Sequence, residues 1–136
     1  MLVRWLVGVL VVLSPATGLA MDRIEITRGA DDIVYGNCVP SLDVENNTLD
    51  IIDYLQVDLV LALRDGRERL VELRSAYRDG ILHPIGAGGR ATLRQHLDMS
   101  RALGVSCSDV TARRVVRMVC EAEGGKSCVT SMSVRP

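Results

Sequence analysis

The chain has 136 residues, 48% of them apolar, and a formal net charge of −1 at pH 7. This length is typical of one domain, and this apolar fraction is enough to build a packed core, which excludes wholesale disorder. The near-neutral charge argues against a nucleic-acid-binding protein, because such proteins carry a strong basic excess.

The beginning of the chain has the pattern of a secretory signal peptide. Arg4 precedes an apolar run, and Gly18 and Ala20 place small residues just before a cleavage site. The apolar run is too short to cross a bilayer as a stable helix, which needs about 20 residues. We therefore predict a signal peptide over residues 1–20, a single domain over residues 21–136, and no membrane insertion after cleavage.

Alternation of apolar and polar residues predicts strands in the first half of this domain. Residues 23–27 form a short candidate, and Leu42 and Val44 share one face of a second candidate over 39–45. The clearest strand covers residues 55–64, where apolar residues occupy every odd position up to 63. Strict period two over this length is typical of a strand with one face buried.

A hairpin turn ends this long strand. Asp65-Gly66 is a turn dipeptide, and Val71 and Leu73 continue the apolar face on a return strand. The spacing between the two apolar sets fits an odd-length loop, because an even-length loop would place the second set on the opposite face of the sheet. We therefore expect an antiparallel hairpin at the centre of the domain.

The next segment is compatible with two kinds of structure. The apolar spacing in residues 90–103 fits a strand, and with Gly104 as a stop it also fits a helix. We favour a strand through Met99, followed by a loop or one helical turn within residues 100–110. The helical alternative stays open at this point.

Two further strands are predicted over residues 113–122 and 127–134. Val116, Met118 and Cys120 occupy alternate positions and are expected to share an apolar face. With these, the chain has about seven short strands separated by turn signals. This pattern predicts an all-β fold, an antiparallel β-sandwich.

The four cysteines are expected to form disulfides, because export delivers the chain to an oxidising compartment, either the periplasm or the medium. Their spacing lacks the short pairs of zinc sites. Four cysteines allow three pairings. Cys120 and Cys128 flank a hairpin tip and lie on apolar faces, and an odd-length loop such as residues 123–125 would bring them together, so we favour this pair. Cys38 and Cys107 would then form the second bridge, which would close a long loop and contribute roughly 4 kcal/mol.

The sequence offers no recognisable catalytic arrangement. His83 and His96 are its two histidines, and no serine lies in the G-x-S-x-G context of a hydrolase. Cysteines bonded in pairs cannot supply a nucleophilic thiolate, and the glycine patterns of dinucleotide and phosphate loops fail. We therefore predict a protein that is not an enzyme, with no catalytic residue, cofactor or metal.

One acidic turn offers candidate ligands for a calcium ion. Asp43, Glu45, Asn47 and Asp50 offer oxygen ligands, but the glycine and glutamate that an EF-hand loop requires are missing. A solvated turn is the favoured interpretation. The triplet 46–48, Asn-Asn-Thr, is also a formal glycosylation sequon, which matters only in a eukaryotic secretory pathway.

Several short segments through most of the mature chain are shared with a known family. They are Asn37-Cys38, Leu42-x-Val44-x-Asn46-Asn47-Thr48, Asp65-Gly66, Pro84 to Gly89 with Ala91-Thr92-Leu93, Cys107-Ser108-Asp109-Val110 and the hairpin from Cys120 to Cys128. By these the chain resembles the interleukin receptor mimic family of small secreted bacterial proteins. The resemblance implies an immunoglobulin-like sandwich of the fibronectin type III kind, which dimerises, with strand exchange as one route, and contacts cytokine receptors.

Two functions follow as predictions. The first is a secreted protein-binding module that engages a host cytokine-type receptor ectodomain as a homodimer. The alternative is a periplasmic chaperone-like or envelope-assembly domain that binds extended peptide strands at a sheet edge. In both, the partner is a protein and the binding surface is unknown from the sequence.

Overall fold

A computed structural model describes residues 22–75, 77–78, 81–95, 103–128 and 131–136. The predicted signal peptide lies outside these ranges, as do His96 and Met99. Within the described ranges, no helix has the length and apolar character needed to cross a membrane.

The described residues are almost all in strands, which confirms the all-β prediction. The strands are β1 (Arg23–Arg28), β2 (Asp32–Val34), β3 (Asn37–Val39), β4 (Ser41–Asn46), β5 (Ile52–Leu63), β6 (Glu68–Arg74), β7 (Tyr77–Arg78), β8 (Ile81–Leu82), β9 (Arg90–Gln95), β10 (Val110–Ala122), β11 (Lys126–Ser127) and β12 (Ser131–Arg135). A short 3₁₀ turn, Cys107–Asp109, precedes β10.

Eight strands form one curled sheet in the order β11-β10-β5-β6-β9-β4-β1-β12, and two small ribbons, β2-β3 and β7-β8, are attached to it. Neighbours in the sheet are antiparallel except β1 and β12, which run parallel. Strands β6 and β9 pair at Leu73 with Gln95 and at Arg74 with Arg94. This pairing of only two residues divides the sheet into two four-stranded halves. A sandwich has two separate sheets, so the all-β class is confirmed and the sandwich arrangement stays a prediction.

The two halves share one apolar core. The alternating face of β5 supplies its centre, as predicted, with Leu55, Val57, Leu59, Leu61 and Leu63. The other half contributes the buried residues Ile24, Ile26, Leu42, Val44 and Leu93. Burial of each such side chain stabilises the fold by about 1.5–3 kcal/mol, so this core is the main stabilising feature of the domain.

Both predicted odd-length hairpin loops are present. In the first, the Leu63 N–H donates to the Arg67 carbonyl at 2.8 Å, and Gly66 has a φ of +86°. In the second, residues 123–125 connect β10 to β11, and Gly124 has a φ of +78°. Glycine adopts this left-handed backbone without the steric cost that a side chain imposes.

The ambiguous segment is a strand where the structure describes it. Strand β9 covers Arg90–Gln95, so the favoured interpretation is confirmed there, and residues 96–102 lie outside the described part of the chain. The 3₁₀ turn at Cys107–Asp109 lies within the interval in which one helical turn was expected. Strands β2, β3, β7 and β8 were not predicted, because they are too short to show a period.

The predicted apolar face of β10 is wrong at one position. A β-bulge shifts the register between Val115 and Arg117, so that Val115 pairs with Leu59 and packs against the core. The extra residue, Val116, is 44% exposed. A bulge adds one unpaired residue and reverses the alternation after it, which period-two reasoning cannot anticipate.

The predicted strand over residues 127–134 is divided in two. Strand β11 pairs with the end of β10, whereas β12 pairs with β1 at the opposite end of the sheet order. The chain therefore leaves one edge of the sheet and joins the other. This crossing gives the fold its parallel pair and places Met132 and Val134 against the core.

Candidate protein-binding site

The β2-β3 hairpin ends in a turn with an unusual residue. Ile33 pairs with Cys38 and Val34 with Asn37, which leaves Tyr35 and Gly36 as a two-residue turn. Their φ angles are 49° and 76°. Positive φ at both central positions is typical of a type I′ turn, which asparagine or glycine occupies at low cost. A tyrosine there costs about 1–2 kcal/mol, so the local backbone is strained.

The strained residue is also exposed. Tyr35 is 83% exposed and Ile33 is 68% exposed, and we call these two residues the hairpin tip. The Asn37 Nδ2 donates to the Tyr35 carbonyl at 3.3 Å, which ties the turn to β3. Tyrosine buries a large area at low entropic cost, and it is enriched among residues that dominate protein–protein binding energies. Strain retained at an exposed aromatic residue points to a functional constraint.

A disulfide holds the base of the hairpin. Cys38 is bonded to Cys107 across 69 positions, with a Cα–Cα distance of 4.8 Å, as predicted. The Cys38 N–H also donates to the Val105 carbonyl at 2.8 Å. Strand β3 is therefore joined covalently and by a backbone hydrogen bond to the segment that leads into β10. These links restrict movement of the tip relative to the core.

A partly buried ion pair fixes the other strand of the hairpin. The Asp31 carboxylate accepts from Arg113 Nη2 at 2.6 Å and from Arg28 Nη2 at 2.9 Å, and the Arg113 side chain is only 4% exposed. Burial raises the pKa of the Asp31 carboxyl, but the hydrogen bonds and charges of Arg113 and Arg28 outweigh it and hold that pKa below its ordinary value. Asp31 is therefore a carboxylate at neutral pH.

Close backbone packing completes the base. Gly29 donates its N–H to the Ser41 carbonyl at 3.0 Å, and Ser41 Oγ donates to the Ala30 carbonyl at 2.7 Å. A Cβ atom on Gly29 would lie 2.4 Å from Ser41 Oγ, so this approach requires glycine. The tip thus projects from a base held by covalent, ionic and backbone contacts.

The second disulfide lies elsewhere. Cys120 is bonded to Cys128 with a Cα–Cα distance of 5.4 Å, which confirms the other predicted pair and closes the β10-β11 hairpin. Together the two disulfides indicate an oxidising, extracytoplasmic environment. The Asp31 carboxylate and the sulfurs of Cys38 and Cys107 lie within 4.8 Å of one another. Because those sulfurs are bonded to each other, they are not thiolate ligands for a metal ion.

The sequon at residues 46–48 is a buried structural turn. Asn46 is 0% exposed, and its Nδ2 donates to the carbonyls of Asp50, Ile85 and Gly86 at 2.8, 3.2 and 3.0 Å. Its Oδ1 accepts from the Thr48 hydroxyl at 2.7 Å. This amide has neither the space nor the free N–H groups to carry a glycan in the folded domain.

Of the calcium candidates, Asp43 and Glu45 are engaged on the outer face of β4, and Asn47 and Asp50 are exposed in the turn that follows it. Asp43 accepts from the Thr92 hydroxyl at 3.0 Å, and Glu45 forms an ion pair with Arg90 at 2.9 Å. Both line a shallow cavity of about 510 Å³. These contacts are cross-strand pairs of an exposed sheet face, and they use the carboxylates within the protein. His83 is exposed beside Pro84.

Sequence reasoning did not single out the hairpin tip. Tyr35-Gly36 stands between two three-residue strands, Asp32–Val34 and Asn37–Val39, which are too short to show periodicity. The available signal was a Gly-containing dipeptide next to a cysteine that was expected to be bonded, with apolar residues on both sides. That pattern predicts a stapled hairpin, although it does not reveal which residue is exposed.

Comparison with known proteins yields a fold relationship. No family model and no curated protein matches the chain. The solved structure of IrmA from Escherichia coli is similar to it, with a TM-score of 0.50 and 13% sequence identity over 75% of this chain and 80% of IrmA. This supports the expected resemblance as an IrmA-like fold. Identity this low shows the fold and carries no binding residue across.

Proposed function

We propose that this chain is a secreted, non-enzymatic protein-binding module that docks on a folded partner through the hairpin tip. The observation that carries the proposal is the strained and exposed Tyr35 on a hairpin with a fixed base. A preorganised loop loses little conformational entropy on binding, so its contacts yield more affinity. The strained backbone of Tyr35 lowers the stability of the free protein, and it holds the aromatic ring in the exposed position that binding requires.

The partner class that we propose is a cytokine-type receptor ectodomain. It rests on the resemblance to the interleukin receptor mimic family and on the IrmA-like fold. The proposal includes a homodimer, which the same resemblance implies. Sedimentation of the oxidised domain measures its mass and tests the dimer separately from the tip.

Binding of a panel of purified cytokine-receptor ectodomains to the oxidised domain tests the proposal. Replacement Tyr35→Gly should weaken binding about tenfold or more, because it removes a central aromatic contact. The matched control is Leu49→Ser, since Leu49 is 93% exposed in the turn after β4 and lies outside the hairpin. Equal affinities for the wild type and Tyr35→Gly would show that the tip is not the site.

Export is tested in the native host. The chain should be recovered mainly from the medium, with both disulfides formed. Retention in the periplasm would contradict the secreted receptor-binding function and favour an envelope-assembly function. That second function has its own structural support, because among the described residues one side of β10 is unpaired along most of its length.

A further inference from the structure

Strand β10 presents a long edge without a described partner. On one side it pairs with β5 from Val110 to Ala122. On the other side, within the described ranges, the sheet pairs only Glu121 and Ala122 with β11. Residues 111–119 therefore offer backbone N–H and C=O groups to which an additional strand can bind. We call these residues the open edge.

The two faces of the open edge differ in chemistry. Val115 and Met118 pair with core residues of β5, so their side chains point inward, yet Met118 is 37% exposed at the rim of the core. Arg114 and Arg117 pair with the outward-facing residues Val60 and Asp58, respectively, and both arginines are exposed. Arg114 Nη2 lies 3.7 Å from the Glu68 carboxylate, in an exposed and weak pair. Apart from Arg113, which pairs with Leu61 and binds Asp31, the inward face of the edge is thus apolar, and its outward face carries two exposed arginines.

We propose that the open edge binds an extended segment of another protein in which apolar and acidic residues alternate. Pairing with residues 111–119 satisfies the backbone groups of the edge. The apolar side chains of the added strand then cover Val115 and Met118, and its carboxylates face Arg114 and Arg117. This site contains no residue of the hairpin tip. Peptide binding at the open edge and receptor binding through the tip can therefore be disproved separately.

The edge strands of a second copy do not supply such a segment. Antiparallel self-pairing centred between Val115 and Val116 sets Arg114 opposite Arg117 of the copy, and like charges directly opposite each other are destabilising. The other edge strand, β12, carries Arg135 and no acidic residue. Charge complementarity therefore favours a different protein as the occupant.

Defined peptides test the proposal. The probe is a fluorescein-labelled, end-capped peptide, Ser-Val-Glu-Val-Glu-Val-Glu-Val-Ser, whose binding to the oxidised full domain is followed by fluorescence anisotropy. We expect it to bind about tenfold or more tightly than the same peptide with lysine in place of glutamate. N-methylation of alternate backbone amides should remove binding, because it blocks strand pairing.

Charge reversal provides the decisive variant. Arg114→Glu with Arg117→Glu should reverse the preference, so that the lysine peptide binds more tightly, and this gain also shows that the variant is folded. The matched control, Arg67→Glu with Arg69→Glu, changes the net charge equally at the β5-β6 hairpin and should keep the original preference. Equal binding of both peptides, or an unchanged preference in the edge variant, would overturn the proposal. So would a wild-type dimer that the edge variant dissociates, because the occupant would then be a second copy.

Discussion

Strands β5 and β10 pair with each other along nearly their whole length, but their environments are opposite. Every inward-facing residue of β5 from Leu55 to Leu63 is buried, whereas no residue of β10 falls in the fully buried class. The difference arises from position in the sheet, because β5 lies between β10 and β6 and β10 lies near an edge. Pairing with a neighbour on one side therefore does not bury the inward-facing side chains of a strand. They are buried in β5, which has neighbours on both sides, and partly exposed in β10.

Arg113 is an exception among the residues of β10, because its side chain is almost fully buried. Its replacement should have the largest effect on the free energy of unfolding. Arg113→Ala should lower the free energy of unfolding by about 4 kcal/mol, because it leaves the partly buried Asp31 carboxylate without its closest partner. The exposed neighbour is the control: Arg114→Ala should cost less than about 1 kcal/mol. Urea denaturation of both variants measures the difference, and similar losses would mean that Arg113 is not buried in solution.

Truncation of apolar side chains tests the comparison directly. Leu59→Ala in β5 should destabilise the domain by about 3 kcal/mol, because it removes buried methyl groups and leaves a cavity. Met118→Ala in β10 should cost about 1 kcal/mol or less, since this side chain is already partly in water. If the Met118 variant lost as much stability as the Leu59 variant, the edge would be covered in solution.

Relief of backbone strain should act in the opposite direction. Tyr35→Gly is expected to raise the free energy of unfolding by about 1 kcal/mol, because glycine adopts a positive φ without steric cost and Tyr35 makes little contact with the core. Thermal unfolding followed by circular dichroism measures this gain. Stabilisation combined with loss of receptor binding would separate the functional role of the residue from a structural one. A loss of stability would show that the turn is not strained.

The last expected effect is acid sensitivity at the base of the hairpin. Because the folded-state pKa of Asp31 is lowered, its stabilising contribution is present above the ordinary carboxyl pKa of about 3.9 and is lost as the pH falls through the folded-state value. The stability difference between the wild type and Asp31→Asn should therefore shrink below about pH 4. Unfolding free energies measured from pH 7 downward check this, and a constant difference would exclude the ion pair as its source.

Much of the fold was predictable where the signal is local. The alternation in β5 predicted both its strand and its buried face, and the apolar positions flanking the turns predicted the odd-length loops. The disulfide pairs followed from the hairpin that Cys120 and Cys128 enclose, since this left one pairing for the other two cysteines. In each case, neighbouring residues carried the information.

The candidate site was less predictable because it depends on distant contacts. Arg113 reaches Asp31 across 82 positions, and no local pattern identifies such a pair. The conformation of Tyr35 follows from the tight hairpin around it, and the exposure of Met118 follows from the route of β12 to the far side of the sheet. A one-residue bulge was enough to move Val116 off its predicted face.

The parallel pairing of β1 with β12 has a consequence for the order of folding. It joins the first and the last strands of the described fold, so the ladder that covers one side of Ile24 and Ile26 forms only after β12 is available. Folds dominated by contacts between distant parts of the chain fold slowly. A chain synthesised from its amino end therefore cannot complete this side of the core until β12 is available.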